Sequence, residues 1–496
     1  MPITPFSLCG PTFQTRDGLW NSERCTNFYP SGDMSGHAKS KISLQPCPGL
    51  HKFCDVVSAT GSPGIRGMFA GDNRLFVDVA SRFMEVFEDG TTKEAAGTTG
   101  AGYTPVQFAA SGLSVMVATG DSIWRVSGAT PGSTDLTVTK TYDGAISVVW
   151  LDGYYIILLK DSNTIQLSDL NSDGDPAWHA GDPDYPGGPW NPLDQQTKMG
   201  SLDRLVRLEV HEGNLWLFGR ETIDVWYNSG DADFPFRRIS GAMVDQGTSA
   251  PWSVAQIDRK LYWLGRDKRG RGRVFRTEGY TPVPISNPAI EYLIDSYLDL
   301  GTDHAITGYG YQEDGQTFYV LSFPTYAQAT LVYDLTTNMW HERARWNGTA
   351  WEQWRGASFH AHVWGKHIVS RWSPDGPYIG PDHRRLWEMN VQFPDDEGLP
   401  IRRQRIAPYV QAEQQFLQHH YLRLYTDSAS NVNMRYRNDE GTAWSTPRVV
   451  APFKHEVKYR RLGRARDRLY DIWIDDATKP PMIAEGWLNL SPSLER

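Results

Sequence analysis

The chain has little cysteine, little helical patterning and no long apolar run. Its four cysteines, Cys9, Cys25, Cys47 and Cys54, all lie in the first 54 residues and form no C-x-x-C pair. That pattern favours free thiols made in a reducing compartment over a disulfide framework, or over a zinc site using His37 or His51. No apolar stretch approaches ~18 residues, the longest lying near Tyr154–Leu159, so no membrane span is expected. Met1–Gly10 lacks a basic start and an apolar core, so no secretory signal is expected. P-loop, G-x-S-x-G and H-E-x-x-H motifs are missing, and Gly270-Arg271-Gly272 lacks the helix and last glycine of a dinucleotide loop. None of these catalytic or cofactor-binding signatures is present to mark an active site. Only Ala289–Leu298 shows helical spacing, through Ile290, Leu293, Ile294 and Leu298.

What the chain does have is aromatics, glycine and a recurring hairpin. An apolar strand meets a tight polar turn, a second strand returns, and a third follows. The turns centre on Gly71, Gly112, Gly153, Gly213, Asp258, Gly315 and Gly365, spaced by 41, 41, 60, 45, 57 and 50 residues. Third strands follow at Phe83–Phe87, Ile123–Val126, Ile165–Leu167, Val225–Tyr227, Val274–Arg276, Leu331–Tyr333 and Leu386–Met389. Such a period predicts a mainly β protein whose middle is a β-propeller of six or seven blades, seven being preferred. Each unit has apolar faces that only a neighbour can bury, so the ring should close.

Three regions follow. Residues 1–60 are proline-broken and read as an extended arm. Residues 61–395 hold the repeats, with an acidic insertion at Asn171–Gly200 that carries Trp178 and Trp190. Residues 396–496 read as a β-rich unit, with alternation at Tyr421–Tyr425, Val432–Tyr436 and Leu469–Ile474. Neither end looks able to fold alone, so the two are expected to pack together as a platform. Charge is uneven. Residues 401–496 carry 16 basic and 11 acidic side chains, which leaves the first 400 residues at −14 of the total −9.

Some constellations invite chemical readings. Asp439–Trp444 resembles the Asp-box turn of sialidases, but one copy supports only a structural turn; a glycosidase would need paired carboxylates in a pocket. His360, His362 and His367 could hold a metal, yet carboxylate partners are missing and blade histidines are the simpler reading. His419-His420 reads as a surface pair. The tip Arg266–Arg276, with Arg266, Lys268, Arg269, Arg271 and Arg273, is either a solvated hairpin or a contact for an acidic partner. Exposed Trp178 and Trp190 would suit partner contact, or carbohydrate binding.

Three collinear stretches resemble one family. They are Asn27-Phe28-Tyr29-Pro30 with Leu44, Pro46 and Pro48-Gly49-Leu50; a central set that includes Leu217-Phe218-Gly219, Val225-Trp226-Tyr227-Asn228, Asp233-Phe234-Pro235-Phe236, Tyr262-Trp263-Leu264-Gly265 and Trp340-His341-Glu342-Arg343; and Tyr459-Arg460-Arg461-Leu462-Gly463-Arg464-Ala465-Arg466. They are similar to the packaged-DNA stabilisation, or tail hub (nozzle), proteins of short-tailed bacteriophages. The resemblance implies a non-enzymatic virion tail protein with no cofactor, metal or small-molecule substrate, made in the host cytoplasm, that forms a hexameric ring below the portal and its adaptor. That ring would carry fibres, spikes or a needle, and double-stranded DNA would pass through it without specific binding. Within such a ring Arg402, Arg403, Arg405, Arg460, Arg461, Arg464 and Arg466 are expected to pair with carboxylates across subunits. The alternatives are a propeller glycosidase acting on polysaccharide and a carbohydrate-binding adhesion module.

Overall fold

The computed structural model describes the chain except residues 1–2, 7, 16–20, 33–41, 57–63, 130–132, 134, 181–187, 199–202, 267–271, 299–304, 326, 373–380, 412–414, 439–440, 442 and 494–496. Seven antiparallel four-strand units follow one another, five as separate sheets and the last two within one larger sheet shared with C-terminal strands. Their innermost strands are Ile65–Gly71, Gln107–Ala110, Ala145–Leu151, Leu205–His211, Ala255–Ile257, Thr307–Glu313 and Phe359–Val363, which define blades 1 to 7. Every first hairpin and every third strand expected from the repeat is present. The turns explain why the repeat was visible. Asp72/Asn73, Asp152/Gly153, Glu212/Gly213, Asp258/Arg259, Asp314/Gly315 and Trp364/Gly365 all have positive φ at both central positions. That is the two-residue turn whose twist matches paired strands, and it selects Asp, Asn and Gly. The helix Pro288–Leu298 lies in the connection between blades 5 and 6.

Each seam between blades has its own apolar core. Val77, Val79, Met84, Ile368 and Leu386 fill the seam between blades 7 and 1, so the ring is closed. Its closure corrects the arm boundary at residue 60. The outermost strand of blade 7 is Gly49–Asp55, paired with Arg385–Asn390 from Asn390↔Gly49 to Arg385↔Asp55. Residues 49–55 thus belong to the propeller. Pairing an early strand with a late one removes two exposed edges at once, which a ring of open sheets otherwise leaves. Arg385 fixes the far end by an ion pair with Asp55 at 2.7 Å.

The remaining N-terminal strands join the C-terminal ones in a β-sandwich. One sheet orders Phe28–Gly32, Ile42–Pro46, Ile483–Pro492, Leu417–Thr426 and Glu456–Ala465, with Ile3–Phe6 also on Ile483–Pro492. The other contains Ser22–Thr26, Leu399–Ile406, Arg468–Asp476, Val432–Asn438 and Arg448–Val450, in that order of pairing. Phe28, Leu44, Leu422, Met434, Ile472 and Leu488 are buried between them. The sandwich attaches to the rim of blades 6 and 7. Thr26 pairs with Glu342 of blade 6, and Asp396 pairs with Leu50 of blade 7. Glu456–Ala465 and Arg448–Val450 end their sheets on the side away from those attachments.

Removing residues 1–45 deletes the N-terminal strands of the sandwich but keeps Gly49–Asp55. Limited proteolysis should then cut within 401–496 first, while blade 7 stays protected. Extending the deletion to residue 55 should expose blade 7 as well. Equal protection of 401–496 in the full and shortened chains would refute this linkage.

Candidate functional site

The C-terminal arginines separate into two groups. Arg403 and Arg405 are fully buried within the chain, which corrects their assignment to a subunit interface. Their strand, Leu399–Ile406, turns alternate residues toward the proline-rich N-terminal segment, whose carbonyls lack ladder partners. The guanidinium supplies those donors. Arg405 donates to the carbonyls of Leu8 at 2.6 Å and Pro11 at 2.7 Å, and pairs with Glu23. Arg403 donates to Pro394 and Cys47 carbonyls at 3.2 Å, and burial pushes its pKa down to about 10. Arg402 is engaged within the chain too, bidentate on Asp475 at 3.0 and 2.8 Å and stacked on Trp346 at 4.1 Å.

Arg460, Arg461, Arg464 and Arg466 are exposed on the distal strand Glu456–Ala465. Arg461 has φ +57° and Gly463 φ +76°, at a bulge opposite His419–Tyr421. The bulge twists an edge strand that would otherwise accept another strand. Arg464 and Arg466 stack on Phe416 at 4.9 and 4.7 Å. Arg460 and Arg461 have no ion pair among the described residues. Exposed Val449 and Phe453 lie in the neighbouring segment. This distal end is basic and partly apolar.

The other sequence candidates sort differently. Trp190 is buried, not exposed: it packs between blades 2 and 3 and donates to Thr141 at 2.9 Å. The insertion is drawn back by Arg125, which pairs with Asp173 and Asp175. Trp178 is half-buried. Arg273 pairs with Glu291 of the helix at 3.0 Å. Arg266 ends the strand Lys260–Arg266; its side chain, Lys268, Arg269 and Arg271 lie outside the described residues, as do His37, Asp439, Glu440 and Thr442. His419 is buried and bonded to Tyr470 at 2.8 Å, which corrects the surface reading of that residue.

His360 and His367 share a hydrogen bond of 2.9 Å, and His360 stacks on Tyr309. Among the described residues no three His, Cys, Asp or Glu are arranged to hold a metal.

Three surface grooves were overlooked in the sequence, because distant segments build each of them. The first, between blades 3 and 4, has a volume of about 460 Å³ and is lined by Asp224, Trp226, Asp231, Phe234, Arg237 and Arg238. Asp231 is paired with Arg237, and Asp224 lies 3.5 Å from Arg238. The second, beside Trp364, contains the Arg74–Glu85 pair. The third, about 490 Å³, holds Arg345, Arg355, Arg371, Glu352, Asp382 and His383. Glu352 and Asp382 there are paired with Arg345 and Arg355.

The chain is a seven-bladed propeller with a sandwich on its rim. Residues 20–370 match the family described as bacteriophage P22 Gp10, beta-propeller, and the chain belongs to that family of phage stabilisation proteins. It is thus a structural phage protein. No curated protein matches the sequence. Among solved structures, the chain is similar to virginiamycin B lyase from Staphylococcus aureus (10% identity, 69% of this chain and 99% of that one, TM-score 0.43). It is also similar to the Pan2 WD40 domain of Neurospora crassa (8%, 68% and 94%, 0.41) and to BamB from Moraxella catarrhalis (9%, 79% and 98%, 0.33). Likenesses this loose bear on neither partners nor activity.

Two outcomes follow for stability. Arg405→Ala strips donors from two buried carbonyls and a partner from Glu23, so it should destabilise the sandwich by about 3–5 kcal/mol. Arg460→Ala and Arg461→Ala should each change stability by under about 0.5 kcal/mol. Urea unfolding followed by tryptophan fluorescence compares them, and a similar cost for all three would contradict this division.

The second outcome concerns pH. Burial, with the neighbouring histidines, pushes His360 down to about 3 and His367 to about 4. Unfolded imidazole titrates near 6.5. The folded state therefore binds fewer protons, and this stability is present above pH ~6.5 and lost as pH falls toward 4 and 3. Burial raises Glu313 to about 7 and Asp396 to about 6, and their contribution runs oppositely, fading as pH rises through 6–7. The variant His360→Gln/His367→Gln should lose less stability than wild type between pH 6.5 and 4.5. Identical pH profiles would show that the pair does not stay neutral in the fold.

Proposed function

We propose that the protein is one subunit of a hexameric tail hub, or nozzle, set below the portal and its adaptor. It retains packaged DNA, surrounds the exit channel and carries fibre, spike or needle proteins. The family match over residues 20–370 carries this reading. Two further observations support it. In the propeller interior Gln107 of blade 2 bonds the carbonyl of Leu208 in blade 4 at 2.9 Å, and Ser147 of blade 3 bonds both residues, which ties these inner strands together. In this reading the channel for DNA runs between subunits. The distal edge bearing Arg460, Arg461 and Arg464 is exposed and basic, and these three arginines have no ion pair among the described residues.

The mechanism is electrostatic and mechanical. The first 400 residues carry a net charge of −14. Where such a surface faces the channel, phosphates meet repulsion, and DNA slides without sticking. A basic wall would bind successive phosphates, and each contact would add salt-sensitive drag. The arginine edge instead contacts carboxylates of the adjacent subunit, as guanidinium geometry favours.

The isolated protein should therefore bind double-stranded DNA weakly even at low salt. Arg460→Ala/Arg461→Ala should impair ring assembly, seen by native mass spectrometry and electron microscopy, before DNA affinity changes. Tight, steeply salt-dependent gel shifts by wild type that vanish in this variant while rings still form would overturn the assignment.

A further inference from the structure

The groove between blades 6 and 7 contains an ionic imbalance that the proposed tail role does not use. Three arginines line it. Arg345 lies 3.2 Å from Glu352 and 3.8 Å from Asp382. Arg355, buried against the ring of Trp387 at 4.5 Å, donates to Asp382 at 3.0 Å. Arg371 has no hydrogen bond and no ion pair among the described residues, although it lies at the end of a core strand, Lys366–Ser370, beside buried Trp372. Neighbouring Arg385 is already matched by Asp55 and Glu397. Among the described residues Arg345, Arg355 and Arg385 each have a carboxylate, and Arg371 has none.

The unmet donors agree with that count. Arg371 Nε, Arg345 Nε, Arg355 Nη1 and His383 Nδ1 are buried with no hydrogen-bond partner among the described residues, Arg355 Nη1 lying 3.9 Å from Glu397. Buried N–H groups ordinarily find an acceptor, because leaving one unpaired costs about 1–3 kcal/mol. Burial, and repulsion from Arg345 and Arg355, weaken Arg371's hold on its proton, although Asp382 and Glu352 are near. An acceptor carrying negative charge would relieve both problems. It must bear several oxygens, since the open donors come from different elements. A tetrahedral oxyanion meets that requirement, and guanidinium forks are the side chains best shaped for it.

We propose that this groove is a phosphate-binding site in which Arg371 is the principal ligand and Arg345, Arg355 and His383 add donors. The phosphate is either the free ion or one group of a nucleic-acid strand. With a single phosphate bound, the strand would be held weakly, with a salt slope near −0.9 for duplex DNA.

Isothermal titration of the full chain with inorganic phosphate, against chloride at matched ionic strength, tests the site. Wild type should bind one phosphate with a dissociation constant on the order of 1 mM. Arg371→Gln should weaken binding at least about tenfold, Arg371→Lys by about threefold, and the remote Arg460→Gln not at all. Circular dichroism checks that each variant is folded, and Arg371→Lys keeps the test informative if Arg371→Gln is not. A short duplex that displaces phosphate from wild type, and binds less well to Arg371→Lys, identifies the backbone as the source; phosphate binding without such competition identifies the free ion. Absence of phosphate binding by wild type, or equal binding by folded Arg371 variants, overturns the proposal.

Discussion

The structure depends on one strand pairing, that of Gly49–Asp55 with Arg385–Asn390. Seven sheets with apolar faces on both sides have no stable end until the last meets the first. Here the last blade is completed by a strand from before the first. Its seam buries Val56, Ile65, Leu75, Ile368 and Leu386 together. At about 1.5–3 kcal/mol for each large apolar side chain removed from water, that seam outweighs any surface ion pair in the molecule.

That closure also decides where the sandwich must be. The chain enters the ring at Gly49 and leaves it after Asn390, two residues that face each other in register. The flanking segments therefore emerge side by side and can pair immediately. Asp396 accepts the N–H of Leu50 at 3.0 Å, and Asn27 bonds the carbonyls of Ala344 and Arg402. The sandwich is joined to blades 6 and 7 by backbone pairing and buried polar contacts rather than by a tether. Such an attachment holds the two parts as one body, whereas a long linker would let them move independently.

Much of this was legible in the sequence because turns carry strict local chemistry. Paired positive-φ residues select Asp and Gly, so the first hairpins announced themselves at nearly every blade. The strand Gly49–Asp55 escaped notice because Pro46 and Pro48 precede it, and because His51, Lys52 and Asp55 mask the inward Leu50 and Cys54. Charge misled in the same way at Arg403 and Arg405. Composition treats arginine as surface, but a strand's alternation buries every second residue regardless of type. Those residues survive burial only because irregular backbone nearby needs donors. Trp190 failed for the converse reason. An insertion rich in Asp and Pro looks solvated, yet a ladder of contacts from blade 2 folds it back.

Arginine is the thread through both the fold and its candidate sites. Arg66 bonds the carbonyls of Ala80, Gly100, Thr104 and Thr119 across the seam of blades 1 and 2. Arg468 does similar work in the sandwich, on Leu462 and Asn438, beneath Tyr436. Arg343 is enclosed by Tyr311, Phe318 and Trp354. In each case planar, persistent charge is matched by fixed acceptors or ring faces, so removing either partner leaves an uncompensated group inside. Against that background the exceptions carry information. Arg371 in its groove, and Arg460 and Arg461 on the distal edge, lack ion-pair partners among the described residues. Others, such as Arg423 and Arg437, also have no ion pair among the described residues; what sets Arg371 apart is a buried Nε beside the guanidinium groups of Arg345 and Arg355, where an outside anion can add binding energy without displacing an internal contact.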